Sequence, residues 1–447
     1  MTDTRRQARR AGIAALVGTT LEWYDFLIYG TAAALVLNKL FFPAISPMAG
    51  TLATFATYAV GFLARPLGGI VLGNLGDRLG RKTMLMLTIV LMGVATALIG
   101  VLPTYETVGV WAPVLLIVLR LVQGFGAGGE YAGAVVLSVE HGDQRRRGLA
   151  AAWAPAGFAL ATLLATGIYQ LFLLLPDEQF RQWGWRVPFL LGIVMLAIGY
   201  FVRTGVAESP AFEKAQRAEE AKVSLFSALR QQPRSFLVVV GARFAENGFA
   251  YLFPVFAVAF LTRELHLAES LGLTAVIIAS AVQVAGVPLF AWLSDRWGRR
   301  PVYAAGAIAS ALWIVPFFLL LETREPVAVI VAFVVGLGIC YPAMLAPQAA
   351  WFAELFETRN RLAGFGFARE IGSVLAGGFL PLIATSLLAW SGHWWSVAAY
   401  MALLTVLTLI ALAAGPETRR RDIESADEHA TVTPRAQEAT TKAAARQ

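Results

Sequence analysis

Twelve runs of mainly apolar residues divide this chain, at roughly 12–38, 50–74, 83–102, 112–138, 148–173, 186–205, 235–262, 271–293, 301–321, 326–348, 361–388 and 392–414, and each passes the ~17 residues a helix needs to cross the hydrocarbon with its backbone satisfied. That pattern constrains the fold more than any motif does. With 57% hydrophobic and only 15% charged residues in 447, the chain has too little polar surface for soluble domains, so the bilayer is its expected solvent. The fold class is all-α integral membrane, with twelve transmembrane helices. The single cysteine, Cys340, lies in an apolar run and excludes an intramolecular disulfide.

The basic residues set the orientation. Loops on the amino-terminal side, with the two tails, hold 27 of the 36 Lys and Arg. The opposite loops hold five, Lys39, Arg181, Arg186, Arg263 and Arg324. Both termini are therefore expected in the cytoplasm. Clusters such as Arg145-Arg146-Arg147 and Arg419-Arg420-Arg421 read as anchors facing anionic headgroups. The net charge of +7 needs no nucleic acid, since no basic face with interleaved aromatics lies outside the membrane. The first run is too long for the core of a cleaved signal peptide and carries Glu22 and Asp25, so it should remain as a helix.

An internal echo divides the chain. Gly73-Asn-Leu-Gly-Asp77-Arg78-Leu-Gly-Arg81-Lys82 follows the second run, and Asp295-Arg296-Trp-Gly298-Arg299-Arg300 follows the eighth. A charged loop that can bind helix ends and let go as helices move, repeated in each half, suggests two six-helix bundles that rock. The boundaries are residues 1–205 for the first bundle, 206–234 for a polar cytoplasmic linker with Glu213 and Arg217 at helical spacing, 235–414 for the second bundle, and 415–447 for a disordered tail. Gly124-Phe-Gly126-Ala-Gly128-Gly129 imitates a dinucleotide fingerprint without the strand it requires, and reads as close helix packing. Asn247-Gly248, in mid-span, marks either a helix break near a cavity or a tolerated dipeptide.

Charges inside the spans carry the functional argument. Arg65, Arg120, Arg243, Arg369, Glu22, Asp25, Glu130, Glu246 and Glu370 fall within predicted helices, where each charge costs at least about 2.5–3.5 kcal/mol at mid-bilayer. At the helical rise, Asp25 stands roughly 20 Å from the inner end of the first span and Arg120 roughly 12 Å from the outer end of the fourth, nearly level. Glu22 and Tyr29 share a face with Asp25, and Gln123 shares one with Arg120. Glu130, about 15 Å along the helix from Arg120, is out of its reach, and suits a reversible proton carrier. Arg243 and Arg369 are each about 12 Å from the inner side, a level pair of guanidinium forks suited to a carboxylate, with Glu246 and Asn247 on the Arg243 face. The rival arrangement pairs Arg243 with Glu246 and Arg369 with Glu370 as local neutral pairs. Arg65 lies near enough to the inner end to snorkel or brace the Asp77 loop.

The chain resembles the major facilitator superfamily and, within it, the metabolite:proton symporters. The resemblance rests on Glu22-Trp-Tyr-Asp25-Phe, Phe62-Leu-Ala-Arg65-Pro-Leu-Gly-Gly, the Asp77–Lys82 loop, Arg120-Leu-Val-Gln123-Gly-Phe-Gly-Ala-Gly-Gly-Glu130 and Trp183-Gly-Trp185-Arg186-Val-Pro188-Phe. Its first half is most similar to bacterial shikimate transporters, whereas Phe365-Gly-Phe-Ala-Arg369-Glu370 departs from them. The resemblance implies a monomeric inner-membrane symporter with a central cavity lined by helices 1, 4, 7 and 10, working by alternating access. It implies cytoplasmic gating by Asp77, Arg81 and Glu140, with Asp295, Arg299 and Glu354 in similar positions of the second half, and a coupling role for Arg120.

On these grounds the chain is expected to import a small hydroxylated organic acid, shikimate or a related monocarboxylate, together with protons. Arg120, Arg243, Arg369, Gln123, Tyr29, Glu246 and Asn247 are the substrate-binding candidates, and Asp25, Glu130 and Glu22 are the proton-coupling ones. The alternatives are 2-oxoglutarate, citrate, an aromatic acid or betaine/proline as the solute, export in place of import, or a sensor that binds without transport. No leucine heptad follows Gly415, which argues against the proline/betaine branch with its extended coiled coil. Neither metal nor cofactor is expected. The four histidines lie in loops or the tail without a hydrolase motif, so an enzyme is not expected either.

Overall fold

The computed structural model describes residues 2–79, 81–128, 130–140, 146–204 and 229–421, and among them all regular structure is helical. We label the long helices α1 (Thr2–Leu35), α2 (Pro47–Leu79), α3 (Arg81–Val101), α4 (Trp111–Ala127, continued by Glu130–Glu140), α5 (Arg147–Phe172) and α6 (Gly184–Phe201) in the first half. The second half contains α7 (Pro233–Arg263), α8 (Glu269–Trp297), α9 (Arg299–Glu322), α10 (Pro326–Glu354), α11 (Ala363–Ser391) and α12 (Trp395–Ala414). Ten helices among the described residues are long and apolar enough to cross a membrane. The first and third predicted spans fall on α1 and α3, which carry charge or have a shorter apolar stretch, Met86–Val101 in α3. α1 packs against α5 and α3 against α4, with Leu87, Val90, Val94 and Leu98 of α3 on an exposed apolar face.

The glycine-rich run of α4 is a packing surface. A Cβ on Gly124 would stand 1.8 Å from the Gly61 carbonyl oxygen, and one on Gly68 would stand 1.8 Å from that of Phe125. Only glycine lets α2 and α4 cross this closely.

The two halves meet along α5 with α8, α2 with α11, and α1 with α7. Their long helices differ in regularity. In the second half α7, α10 and α11 each contain a stretch of widened turns, at Leu252–Ala257, Val334–Cys340 and Ser373–Gly378. Asn247 and Gly248 are themselves helical, and the departure from α geometry begins only after Tyr251. The start of the tail differs from the disorder expected of it. Pro416 to Arg421 lie against the inner ends of the second half, where Trp351 Nε1 donates to the Pro416 carbonyl at 3.0 Å and Glu417 accepts from the Arg299 and Arg300 amides at 2.9 Å each. Residues 205–228, which include most of the linker, and the remainder of the tail (422–447) lie outside the described residues.

Candidate functional site

A small, nearly closed cavity with room for about one water lies between the halves, with Trp23, Tyr131 and Phe158 on one wall and side chains of α7, α10 and α11 on the other. Its polar wall is organised by Arg243, which is 2% exposed. Nη1 donates to Glu246 at 2.6 Å and to Gln348 at 3.0 Å, while Nη2 donates to Asn247 at 2.8 Å and to Ser373 at 2.7 Å. Tyr341 donates its hydroxyl to the other Glu246 oxygen at 2.9 Å. Because the Asn247 and Gln348 side-chain oxygens face the guanidinium, their amide nitrogens are the atoms left over. Those two nitrogens, with Nε of Arg243, Nε of Arg369 and the Tyr131 hydroxyl, are buried without a partner among the described residues. All five can donate a hydrogen bond, and all belong to cavity-lining residues. Such a wall is chemically matched to an acceptor-rich solute.

A second charged group crosses the interface beside the cavity. Arg65 of α2 donates through Nε to Glu370 of α11 at 2.6 Å and through Nη2 to Glu22 of α1 at 2.6 Å. Arg369 donates to the remaining Glu370 oxygen at 2.6 Å and lies 3.7 Å over the Tyr131 ring. The Arg65 guanidinium also lies 4.8 Å from the Phe26 ring centroid and 5.0 Å from that of Trp23. Arg65 therefore neither snorkels nor braces the inner loop. The helix continues to Leu79, which places Arg65 about 21 Å from that end.

The rival local pairing is the one present: Arg243 with Glu246, and Arg369 with Glu370. Neighbours on a helix point about 100° apart, and the long arginine side chain spans that offset. With Glu22 and Arg65, three guanidinium groups and three carboxylates balance at the centre. Neutrality is what permits so much charge in a dry interior.

Arg120 occupies a separate pocket. Nη1 donates to Gln123, Nη2 donates to the Tyr58 carbonyl at 3.2 Å, and the guanidinium stacks 4.1 Å over Tyr29, whose hydroxyl bonds Thr57. Gln123 in turn donates to Thr96 at 2.7 Å and to the Asp25 backbone carbonyl at 3.4 Å. The Asp25 carboxylate lies near enough to Arg120 for their charges to interact. A Cβ on Gly192 of α6 would stand 3.8 Å from one oxygen of that carboxylate. Of the predicted site residues, the structure gathers Arg243, Arg369, Glu246 and Asn247 around the cavity. Arg120, Gln123, Tyr29, Asp25 and Glu22 are not among its lining residues, and Glu22 lies behind the lining, bound to Arg65. The side chain of Glu130 lies outside what the structure describes.

Residue-level reasoning missed Trp23, Tyr131, Phe158, Tyr341 and Gln348 as lining groups. Gln348, a polar residue late in an apolar run, carried a usable signal. The aromatics carried none, since they resemble any packed core.

At the inner ends, the Asp295 carboxylate accepts from the backbone amides of Gly148 at 2.8 Å and Leu149 at 2.9 Å, capping the start of α5 from the opposite half. Arg299 holds Asp295 at 2.7 Å and Glu354 at 3.3 Å. The counterpart side chains of Asp77, Arg81 and Glu140 lie outside the described residues. At the outer ends, Arg263 donates to the carbonyls of Ala34 at 3.0 Å and Ala33 at 3.4 Å. Contacts thus join the halves on both sides of the central cavity.

Two packed helical halves around a buried polar cavity define a membrane transporter. Residues 11–236 match the Sugar (and other) transporter family and residues 244–445 the Major Facilitator Superfamily. The chain is 42% identical to the shikimate transporter of Escherichia coli strain K12, across 88% of this chain and 91% of that protein. It is 36% identical to the inner membrane metabolite transport protein YhjE of the same organism (92% and 94% covered), and 33% identical to its proline/betaine transporter (94% and 85%). The fold matches the proton:xylose symporter XylE bound to 6-bromo-6-deoxy-D-glucose at a TM-score of 0.74 and 16% identity, covering 93% of this chain and 97% of that one. The chain belongs to the major facilitator superfamily. It is a multi-pass transporter of the bacterial inner membrane, not an enzyme.

Proposed function

We propose that this protein imports a small hydroxylated monocarboxylate, shikimate or a close analogue, together with protons by alternating access. The observation that carries the reading is the set of donors at the cavity wall, where Arg243, Arg369, Asn247, Gln348 and Tyr131 each have a buried N–H or O–H without a partner among the described residues. A ring bearing one carboxylate and several hydroxyls supplies acceptors for that set, and the similarity to a shikimate transporter supports the same solute class. Trp23 and Phe158 provide apolar faces for the ring. A quaternary ammonium such as betaine fits less well, because the Tyr131 face is already covered by the Arg369 guanidinium at 3.7 Å.

Charge balance supports proton coupling. The central cluster is neutral, so an anion entering alone leaves a net buried charge, whereas an anion with one proton does not. Glu22, Asp25 and Glu130 are the proton-binding candidates, with Arg120 as the cation that tunes Asp25. Gln123 and Tyr29 hold Arg120 in place, and Glu246 with Asn247 orients Arg243. Asp295, Arg299 and Glu354, with Asp77, Arg81 and Glu140, act as the cytoplasmic gate, in a monomer of two bundles (1–205 and 235–414) embedded in lipid.

Reconstituted protein should accumulate labelled shikimate when the outside is more acidic and only equilibrate it without a gradient. Equal initial rates and equal final levels under both conditions would remove the coupling. No uptake of shikimate, with uptake of betaine, 2-oxoglutarate or citrate instead, would replace the substrate.

A further inference from the structure

The charges at the centre are divided so that each half is neutral by itself. Glu22 and Arg65 belong to the first half, while Glu370, Arg369, Arg243 and Glu246 belong to the second, and the contact joining the two sets is Arg65 to Glu370 at 2.6 Å. When the halves part, Arg65 keeps Glu22 and Glu370 keeps Arg369. No charge is stranded, so the bridge can open in an empty carrier. Glu370 is faced by Arg65 from α2, by Glu22 behind it on α1, by Arg369 on its own helix, which in turn lies over Tyr131 of α4, and by Arg243 on α7. Arg243 is already committed to Glu246, Gln348, Asn247 and Ser373, which leaves Arg369 as the cation within reach in its own half.

We propose that Glu370 is the group that makes parting of the halves depend jointly on solute and proton. The proposal rests on the reading of Arg369 as an anion-holding residue. A solute carboxylate on Arg369 competes with Glu370 for the same guanidinium. Glu370 then depends on Arg65 across the interface, and parting strands an ionised carboxylate in a dry site. A proton on Glu370 removes that penalty. The empty carrier and the carrier loaded with anion plus proton therefore reorient, whereas the carrier loaded with anion alone stays shut. Arg65 acts as the positioning residue that reads the state of Glu370, with Glu22 as its resting partner.

Arg369→Gln imitates occupancy of Arg369 without any solute, and Glu370→Gln imitates the protonated carboxyl. The test is spin-label distance measurement in lipid nanodiscs, on a Cys340→Ser background, with label pairs at Glu106 and Thr323 on the outer loops and at Arg146 and Arg296 on the inner loops. Relative to the parent, Arg369→Gln should lower the open-to-closed ratio by about tenfold or more at neutral pH, the scale of stranding one buried carboxylate. Acidification should raise the ratio again, and Arg369→Gln/Glu370→Gln should restore it at neutral pH. An Arg369→Gln protein that opens like its parent, or a double variant that stays shut, overturns the proposal. Should Arg369→Gln fail to fold, Glu370→Gln alone decides: it must open more often than the parent, and an unchanged ratio overturns the proposal. Shikimate uptake by the unmodified protein is the separate arm. Its failure removes the substrate assignment and leaves the distance result standing.

Discussion

Replacing Arg65 by Gln separates a central ion bridge from a peripheral anchor, because the two roles predict different stabilities. Arg65 is fully buried and serves two carboxylates, Glu22 and Glu370. After the substitution Glu370 still has Arg369, but Glu22 has lost the donor to Oε1, and its Oε2 has no partner among the described residues. One orphaned buried carboxylate costs about 3–5 kcal/mol, and loss of the guanidinium from the Phe26 and Trp23 faces adds roughly 0.5–2 kcal/mol. Glu22→Gln/Arg65→Gln removes the orphan and lets two amides face one another, so it should recover at least about 2 kcal/mol, within the range of direct couplings. The assay is tryptophan-fluorescence melting in dodecyl maltoside at one fixed scan rate, since unfolding of such a protein is read as a rate. The expected order of melting temperature is wild type, then the double variant, then Arg65→Gln. An Arg65→Gln protein that melts with wild type, or a double variant below the single, would refute the bridge as a structural element.

Other outcomes follow from single contacts. Gly124→Ala places a methyl 1.8 Å from the Gly61 carbonyl oxygen, so α2 and α4 must separate, and the folded yield and melting point should fall by an amount typical of overpacking, about 1–3 kcal/mol. Asp295→Asn loses the charged cap on the Gly148 and Leu149 amides, and should raise the labelling rate of cysteines placed in the inner half of the passage; an unchanged rate removes Asp295 from the gate. Arg243→Lys keeps one charge but cannot hold Glu246, Gln348, Asn247 and Ser373 together, and shikimate binding by calorimetry should weaken by about tenfold or more.

The bundle was legible in the sequence because apolar length is a one-dimensional property. Azimuth was not. Arg120 is held by Gln123 and the Tyr29 ring, partners that a shared helix face suggests only for Gln123. Arg65 was misjudged for a related reason. The apolar run stops early while the helix continues to Leu79, and nothing in either segment states that positions 65 and 370 meet. Arg243 and Arg369 both line the cavity, and the neutral local pairing, weighed as the rival, is how they are held. Tyr131 and Trp23 gave no warning, since an aromatic residue that lines a cavity and one that packs a core read alike.

The two halves differ mechanically as well as in composition. In the first, α2 and α4 interlock through glycines at backbone contact, which leaves little freedom for either to bend. In the second, the helices that carry the polar wall all contain widened turns: Leu252–Ala257 begins five residues after Asn247, Ser373–Gly378 begins four after Arg369, and Val334–Cys340 ends eight before Gln348. These separations are about 8, 6 and 12 Å along the helices. Widened turns loosen the backbone ladder and are places where a helix can change direction. The polar wall therefore sits on compliant helices facing a stiff, aromatic partner. Closure around a solute is then expected to be a local bending of α7, α10 and α11 onto Trp23 and Tyr131, while the first half moves as one body. Hydrogen exchange with and without bound acid should show protection gained at Leu252–Ala257 and Ser373–Gly378 and little change around Gly61 and Gly124. The reverse distribution would place the flexible elements in the wrong half.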